Sequence, residues 1–188
     1  MGVNAFDQPN VEAAKIEARA QITAYSQKGE LDEGEPTWAG EDVEIRTNVD
    51  ITGASLNSAL DSFLDKGQVG DYVSIQAYLP RNSQMSASLQ KIRKSIQEKT
   101  GLATTLGFGP RFLHSTGQLH KGGANNGLFI QITTDVENDI EIPTQGMSFG
   151  TLERAQVLGD YVALDGVGRR VMRIHLNSLD DLESIMKY

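Results

Sequence analysis

The chain has 188 residues, 39% of them hydrophobic and 22% charged, which suits one globular domain and is too apolar for disorder. The 25 acidic residues outnumber the 17 basic ones for a net charge of −8, which argues against a nucleic-acid binder or a protein drawn to anionic membranes. The absence of cysteine excludes disulfides, thiolate nucleophiles and Cys-ligated zinc, and no apolar run reaches membrane length.

The first residues, Met1 to Gln8, have neither a basic start nor an apolar signal core, so a cytoplasmic protein is expected. Residues 11–27 read as a helix, with Val11, Ala14, Ala18, Ile22 and Tyr25 on one stripe, Asn10 as N-cap and Gly29 beyond the end. Residues 28–42 hold six acids, three glycines and Pro36, and are expected to form an acidic surface loop from which Trp38 folds back onto the body. Val43, Ile45 and Thr47 alternate with Glu44 and Arg46 as in a half-buried strand. Leu56, Leu60, Phe63 and Leu64 mark a helix capped by Ser55 and stopped at Gly67.

From residue 71 onward strands and helices alternate. Residues 71–79 read as a strand with Val73, Ile75, Ala77 and Leu79 on one face. Met85, Leu89, Ile92 and Ile96 place a helix after it, ended by Gly101. Strands follow at 102–108 and 127–133, with a short helix or helical turn at 110–121 between them. Leu152, Ala155, Gly159 and Val162 mark a further helix, 170–176 a last strand, and Ser178 with Asp181 a capping box. Such alternation means βαβ units, hence a single α/β domain over 1–188. A three-layer α/β/α sandwich is expected, with a mainly parallel sheet and ligands at the carboxyl ends of its strands.

Residues 99–134 contain no Asp or Glu, where an even spread would put about five. The window holds Lys99, Arg111, His114, His120, Lys121 and seven glycines. Glycine lets backbone N–H groups approach a ligand closely, so the window reads as an anion site, most simply for phosphate. The alternative is chance plus strands that would be acid-poor anyway, but the stretch 109–126 between the strands is acid-free too. No dinucleotide fingerprint, P-loop or nucleophile elbow is present, and the spacing of His114 and His120 does not suit a metal. His175, in the last strand, is expected to be structural.

The segment FDQPNVEAAK, Phe6 to Lys15, resembles the phosphoglucose isomerase signature Phe/Tyr-Asp-Gln-x-Gly-Val-Glu-x-x-Lys, with Asn10 in place of the glycine. Together with RFLHSTGQLHKGGANNGLFIQIT, residues 111–133, it is similar to the C-terminal part of the isomerase unit in bacterial transaldolase/phosphoglucose isomerase fusion proteins. The resemblance runs from residue 4 to about 176. It implies a sugar-isomerase domain, and interconversion of glucose 6-phosphate and fructose 6-phosphate in glycolysis and gluconeogenesis through a cis-enediol. It also assigns roles: Lys15 near the sugar ring, Gln8 at the phosphate, and Glu12 as support for the loop. A ring-opening histidine falls on His114, which stands before Gln118 and Leu119 as in the family's His-x-x-x-Gln-Leu context, with His120 as the rival. In ordinary members that histidine precedes the lysine signature, whereas here it follows.

Arg111, Gln118 and Lys121 complete the expected substrate and phosphate contacts. The family's base glutamate, in a Glu-Ser-x-Gly loop, and its Ser/Thr-rich phosphate loop have no counterpart in this sequence. The chain is therefore expected to be a C-terminal domain whose site is completed by an upstream isomerase domain of the same parent chain. Its partners are that domain and a sugar phosphate, with a homodimer as one option and no cofactor, metal, nucleic acid or membrane. The alternative is a non-catalytic sugar-phosphate-binding or assembly domain.

Overall fold

Helix α1 (Pro9–Lys28) opens the described part of the computed structural model, which covers residues 9–186. Proline suits a first helical position because its missing N–H has no partner there anyway. Asn10 is therefore not the expected N-cap but lies inside the first turn. The acidic stretch that follows contributes strand β1 (Trp38–Ala39), which pairs antiparallel with β2 (Val43–Thr47). Trp38 does fold back, half-buried against the main core.

Helix α2 (Leu56–Leu64) is capped by Ser55, whose Oγ accepts from the Ser58 N–H at 3.2 Å. Strand β3 (Tyr72–Tyr78), helix α3 (Ser83–Thr100) and strand β4 (Ala103–Phe108) follow. Asn82 caps α3, and Gly101 ends it with φ +68°, a backbone angle that favours glycine. Then come helix α4 (Leu113–Gly122), strand β5 (Gly127–Thr134) and a small hairpin of β6 (Glu141–Ile142) and β7 (Met147–Ser148). Helix α5 (Phe149–Asp165), strand β8 (Arg170–Leu176), a 3-10 turn (Leu179–Asp181) and helix α6 (Leu182–Met186) complete the chain. At Ser178 the backbone N–H donates to Asp181 Oδ2 at 2.8 Å, one limb of the expected capping box.

The main sheet runs β1-β2-β8-β5-β3-β4. Strands β8, β5, β3 and β4 are parallel to one another, while β2 joins β8 antiparallel. One face carries Val73, Ile75, Ala77, Leu128, Ile130, Ile132, Met172 and Ile174, packed against α2, α3 and α6 in the largest apolar cluster. The opposite face is covered by α1, α4 and α5. The architecture is thus a mostly parallel sheet between two helical layers, an α/β/α sandwich.

The second face is polar in its middle. Gln76, Gln131 and Arg173 sit at one register level on β3, β5 and β8, all buried. Central strands buried on both sides are usually apolar throughout. Here the polar level is answered by Asp160 on α5, which accepts from Gln131 Nε2 at 3.2 Å and pairs with Lys121 of α4.

Candidate functional site

Helices α1 and α4 bring together the two segments singled out in the sequence. The Asn10 N–H, which has no partner within the first turn of α1, donates to Gln118 Oε1 at 3.1 Å. Gln118 Nε2 donates back to Asn10 Oδ1 at 2.8 Å. A side chain of α4 thereby caps α1. Gly122 leaves room for this pair, since a Cβ there would lie 2.6 Å from Asn10 Oδ1 and collide with Gln118 Nε2.

Lys15 projects from α1 with 51% of its side chain exposed, 3.1 Å from Glu12. Glu12 also reaches Arg19 at 3.4 Å. The Lys15 hydrogen bond and charge hold the Glu12 carboxyl below its usual range. Gln8 lies outside the described residues.

Around α4 the basic residues divide into two sets. Arg111 and His114 are exposed around its first turn, at the carboxyl end of β4. Phe112 at the N-cap offers no side-chain acceptor to that turn. His120 and Lys121 point inward. His120 Nδ1 lies 2.9 Å from Tyr72 Oη, and its ring meets Phe129 edge-on at 5.2 Å. Burial, with the Lys121 charge adding to it, pushes its pKa down to about 4, so the imidazole is neutral near pH 7. Lys121 is buried in its ion pair with Asp160, its charge directed into the polar level and away from solvent.

Arg169 holds the other end of α4. Its Nε donates to the His120 carbonyl at 2.9 Å, and Nη2 donates to the carbonyls of Lys121 and Gly123, each at 2.7 Å. A cation on the last carbonyls of a helix is a favourable terminus. The expected residues thus separate into an outer set, Lys15, Glu12, Arg111 and His114, and an inner set, His120 and Lys121, with Gln118 at the α1–α4 seam. Beneath α4 a cavity of about 400 Å³ lies between Tyr72, Ser74, Thr105, Phe112, Thr116 and His120.

A larger cleft, about 890 Å³, opens at the carboxyl ends of β3 and β5. The chain leaves β3 toward β4 and leaves β5 toward β8, so this is where the direction of winding reverses. Tyr25, Tyr78, Thr133, Asp135, Glu153 and Arg154 are among its walls. Arg154 ion-pairs with Glu33 and, at 3.1 Å, with Asp135, and its Nη2 is 3.3 Å from His175 Nε2.

Burial raises the Glu33 carboxyl, but Arg154, Arg173 and Arg46 outweigh it and hold the group below its usual range. His175 is buried, 3.0 Å from Thr133 Oγ1, and burial followed by the Arg154 charge lowers its pKa. The sequence pattern did not single out this cleft. The one available signal was the general expectation of ligands at the carboxyl ends of the parallel strands, and the loop after β5 carries no recognisable motif. Among the described residues no group of three His, Cys, Asp or Glu side chains could hold a metal, and no helix is long and apolar enough to cross a membrane.

No protein-family model and no curated protein matches the chain. Among solved structures, a hypothetical protein, TT0462, from Thermus thermophilus is similar with a TM-score of 0.59 and 20% identity. The match covers 70% of this chain and 37% of that one, so this chain spans little more than a third of that protein's length. At that identity the likeness concerns the fold alone.

Proposed function

We propose that this chain is the C-terminal, sugar-isomerase-like domain of a glucose-6-phosphate isomerase of the transaldolase-fusion type. The observation that carries the reading is the reciprocal amide pair of Asn10 and Gln118, at 3.1 and 2.8 Å. It joins the two segments that resemble the family, 108 residues apart in the chain. In this reading Lys15 and His114 face the sugar ring, with the histidine passing a proton to and from the ring oxygen. The exposure of His114 favours it over the buried, neutral His120 for that task. Arg111 contributes to the phosphate contact. Lys121, engaged by Asp160, has its role in holding α4. The base that moves the proton between C1 and C2 comes from another domain, because no Glu-Ser-x-Gly loop occurs in this sequence.

Titration of the chain with fructose 6-phosphate, followed by backbone amide shifts, tests the ligand class. The expected shifts cluster at residues 12–15 and 111–118. Shifts elsewhere only, or none at about 10 mM ligand, would remove the basis of the reading.

A further inference from the structure

We propose that the cavity beneath α4 binds a small uncharged aromatic compound with a polar edge, a phenol or an aryl amide, held by hydrogen bonds to Ser74 Oγ and His120 Nε2. This does not rest on the isomerase reading, which uses the outer side of α4.

The space follows from the residues that meet there. Helix α4 lies over β3 and β4, and β4 is the edge strand of the sheet. Between a helix and a sheet, large apolar side chains normally fill the gap at close-packed density. Here the facing residues are small: Ser74 on β3, Thr105 and Gly107 on β4, and Thr116 on α4. Phe112 closes one end by packing onto Gly107, where a Cβ would lie 2.8 Å from the Phe112 Cβ. About 400 Å³ remains, within the size range of small-molecule sites. Leu119, 62% exposed, stands at the rim with the exposed Thr105, so the cavity opens to solvent past an apolar lip.

Two polar atoms of the wall lack partners. Ser74 is 2% exposed and His120 is 5% exposed. Ser74 Oγ makes no hydrogen bond with a described residue, and the His120 ring is bonded through Nδ1 alone, to Tyr72 Oη at 2.9 Å. Neither Ser74 Oγ nor His120 Nε2 is sealed off by protein, as the side-chain amide of Gln76 is. Buried polar groups are nearly always bonded, so two such atoms on one cavity call for a ligand that completes them.

The wall also sets the ligand's class. With Tyr72 O–H donating to Nδ1, Nε2–H is a donor; in the other tautomer Nε2 accepts. A serine hydroxyl plays either part as well, so the pair matches a phenol or an amide, each of which carries a donor and an acceptor. The His120 ring already stands 5.8 Å from Tyr72, 6.2 Å from Phe112 and 5.2 Å from Phe129, and Leu106 and Leu119 extend this apolar surface. Water can complete the two polar atoms but leaves that surface wet, whereas a ring with a polar edge answers both. None of the described residues lining the cavity is charged near pH 7, so a phosphate or carboxylate would lose its hydration there without a counter-charge.

Titration of the chain with phenol and benzamide, with benzoate as the charged control, tests this through backbone amide shifts. Saturable shifts at residues 73–75 and 105–107, together with 116–120, are expected for at least one neutral compound, with benzoate binding about tenfold more weakly or worse. Ser74→Ala removes one hydrogen bond and is expected to weaken the binding about fivefold. Thr105→Phe, at an exposed edge-strand position that suits an aromatic ring, fills the cavity and is expected to abolish the saturable shifts. No saturable shift from either neutral compound at about 10 mM, equal affinity for benzoate, or unchanged affinity in either folded variant would overturn the proposal. Fructose 6-phosphate is charged and is read at residues 12–15, while the β3 and β4 amides report on the cavity, so the two proposals fail separately.

Discussion

Lys121 and Asp160 show 1% and 0% of their side chains to solvent. Removing one partner of such a pair leaves the other charge buried and uncompensated, which typically costs about 3–5 kcal/mol. Lys121→Met is therefore expected to lower stability by about that amount in urea denaturation, and Lys121→Met with Asp160→Leu to recover much of it. His120 adds a pH dependence. Its pKa falls from 6.5 to about 4 on folding, so below pH 6.5 the unfolded chain binds the extra proton. This contribution to stability is complete above pH 6.5 and is lost as pH falls toward 4, by about 3 kcal/mol at most. Denaturation at a series of pH values should show a flatter slope across that window for His120→Asn than for the parent chain. The acid-free stretch 99–134 was legible in the sequence, but its outcome was not. The carboxylate that answers Lys121 arrives from α5, 39 residues further on, and a count along the chain cannot register it.

Helix positions were read well wherever a stripe of small or apolar residues recurred. Ala14 and Ala18, on the expected stripe of α1, are buried. Their partner is Gly159 on α5, where a Cβ would lie 2.5 Å from the Ala18 backbone nitrogen. Backbone cannot yield as a side-chain tip does, so the helices cross at a separation that only glycine permits. Gly159→Ala adds a better helix former, worth about 1 kcal/mol, yet the overpacking is expected to prevail with a net loss of about 1–3 kcal/mol. A thermal melt that rises in this variant would show that α1 is free to move outward. Strands β5 and β8 were also plain from the sequence, β5 from the run Leu128-Phe129-Ile130 and β8 from Val171, Met172, Ile174 and Leu176. Strand β2 was legible from its alternation, but the antiparallel edge was not: β1 has only two residues, inside an acidic stretch, and β2 pairs with β8, far along the chain.

At the scale of the whole molecule, the sheet has an apolar side and a side with a polar middle. The alternation of strands and helices revealed the sandwich, and the order β8-β5-β3-β4 sets the cleft where the winding reverses. The amide seam between α1 and α4 gives the isomerase reading its physical form, since it fixes the start of α1, with Lys15 further along, against the helix that carries His114. In the proposed reading the base for proton transfer belongs to another domain, since no Glu-Ser-x-Gly loop occurs in this sequence. The isolated chain is accordingly expected to turn over glucose 6-phosphate at least about 10²- to 10⁴-fold more slowly than a complete isomerase.

Lys15 tests the reading most directly. It is exposed and off the buried stripe of α1, and lysine and alanine are both good helix formers, so Lys15→Ala should leave the melting temperature almost unchanged. In the longer isomerase to which the proposed reading assigns this chain, a coupled assay of glucose 6-phosphate isomerisation should show turnover reduced by about 100-fold or more in that variant, the loss expected when a contact to the developing charge is removed. Equal turnover in the variant and the parent, or no isomerisation by the full-length parent, would contradict the account.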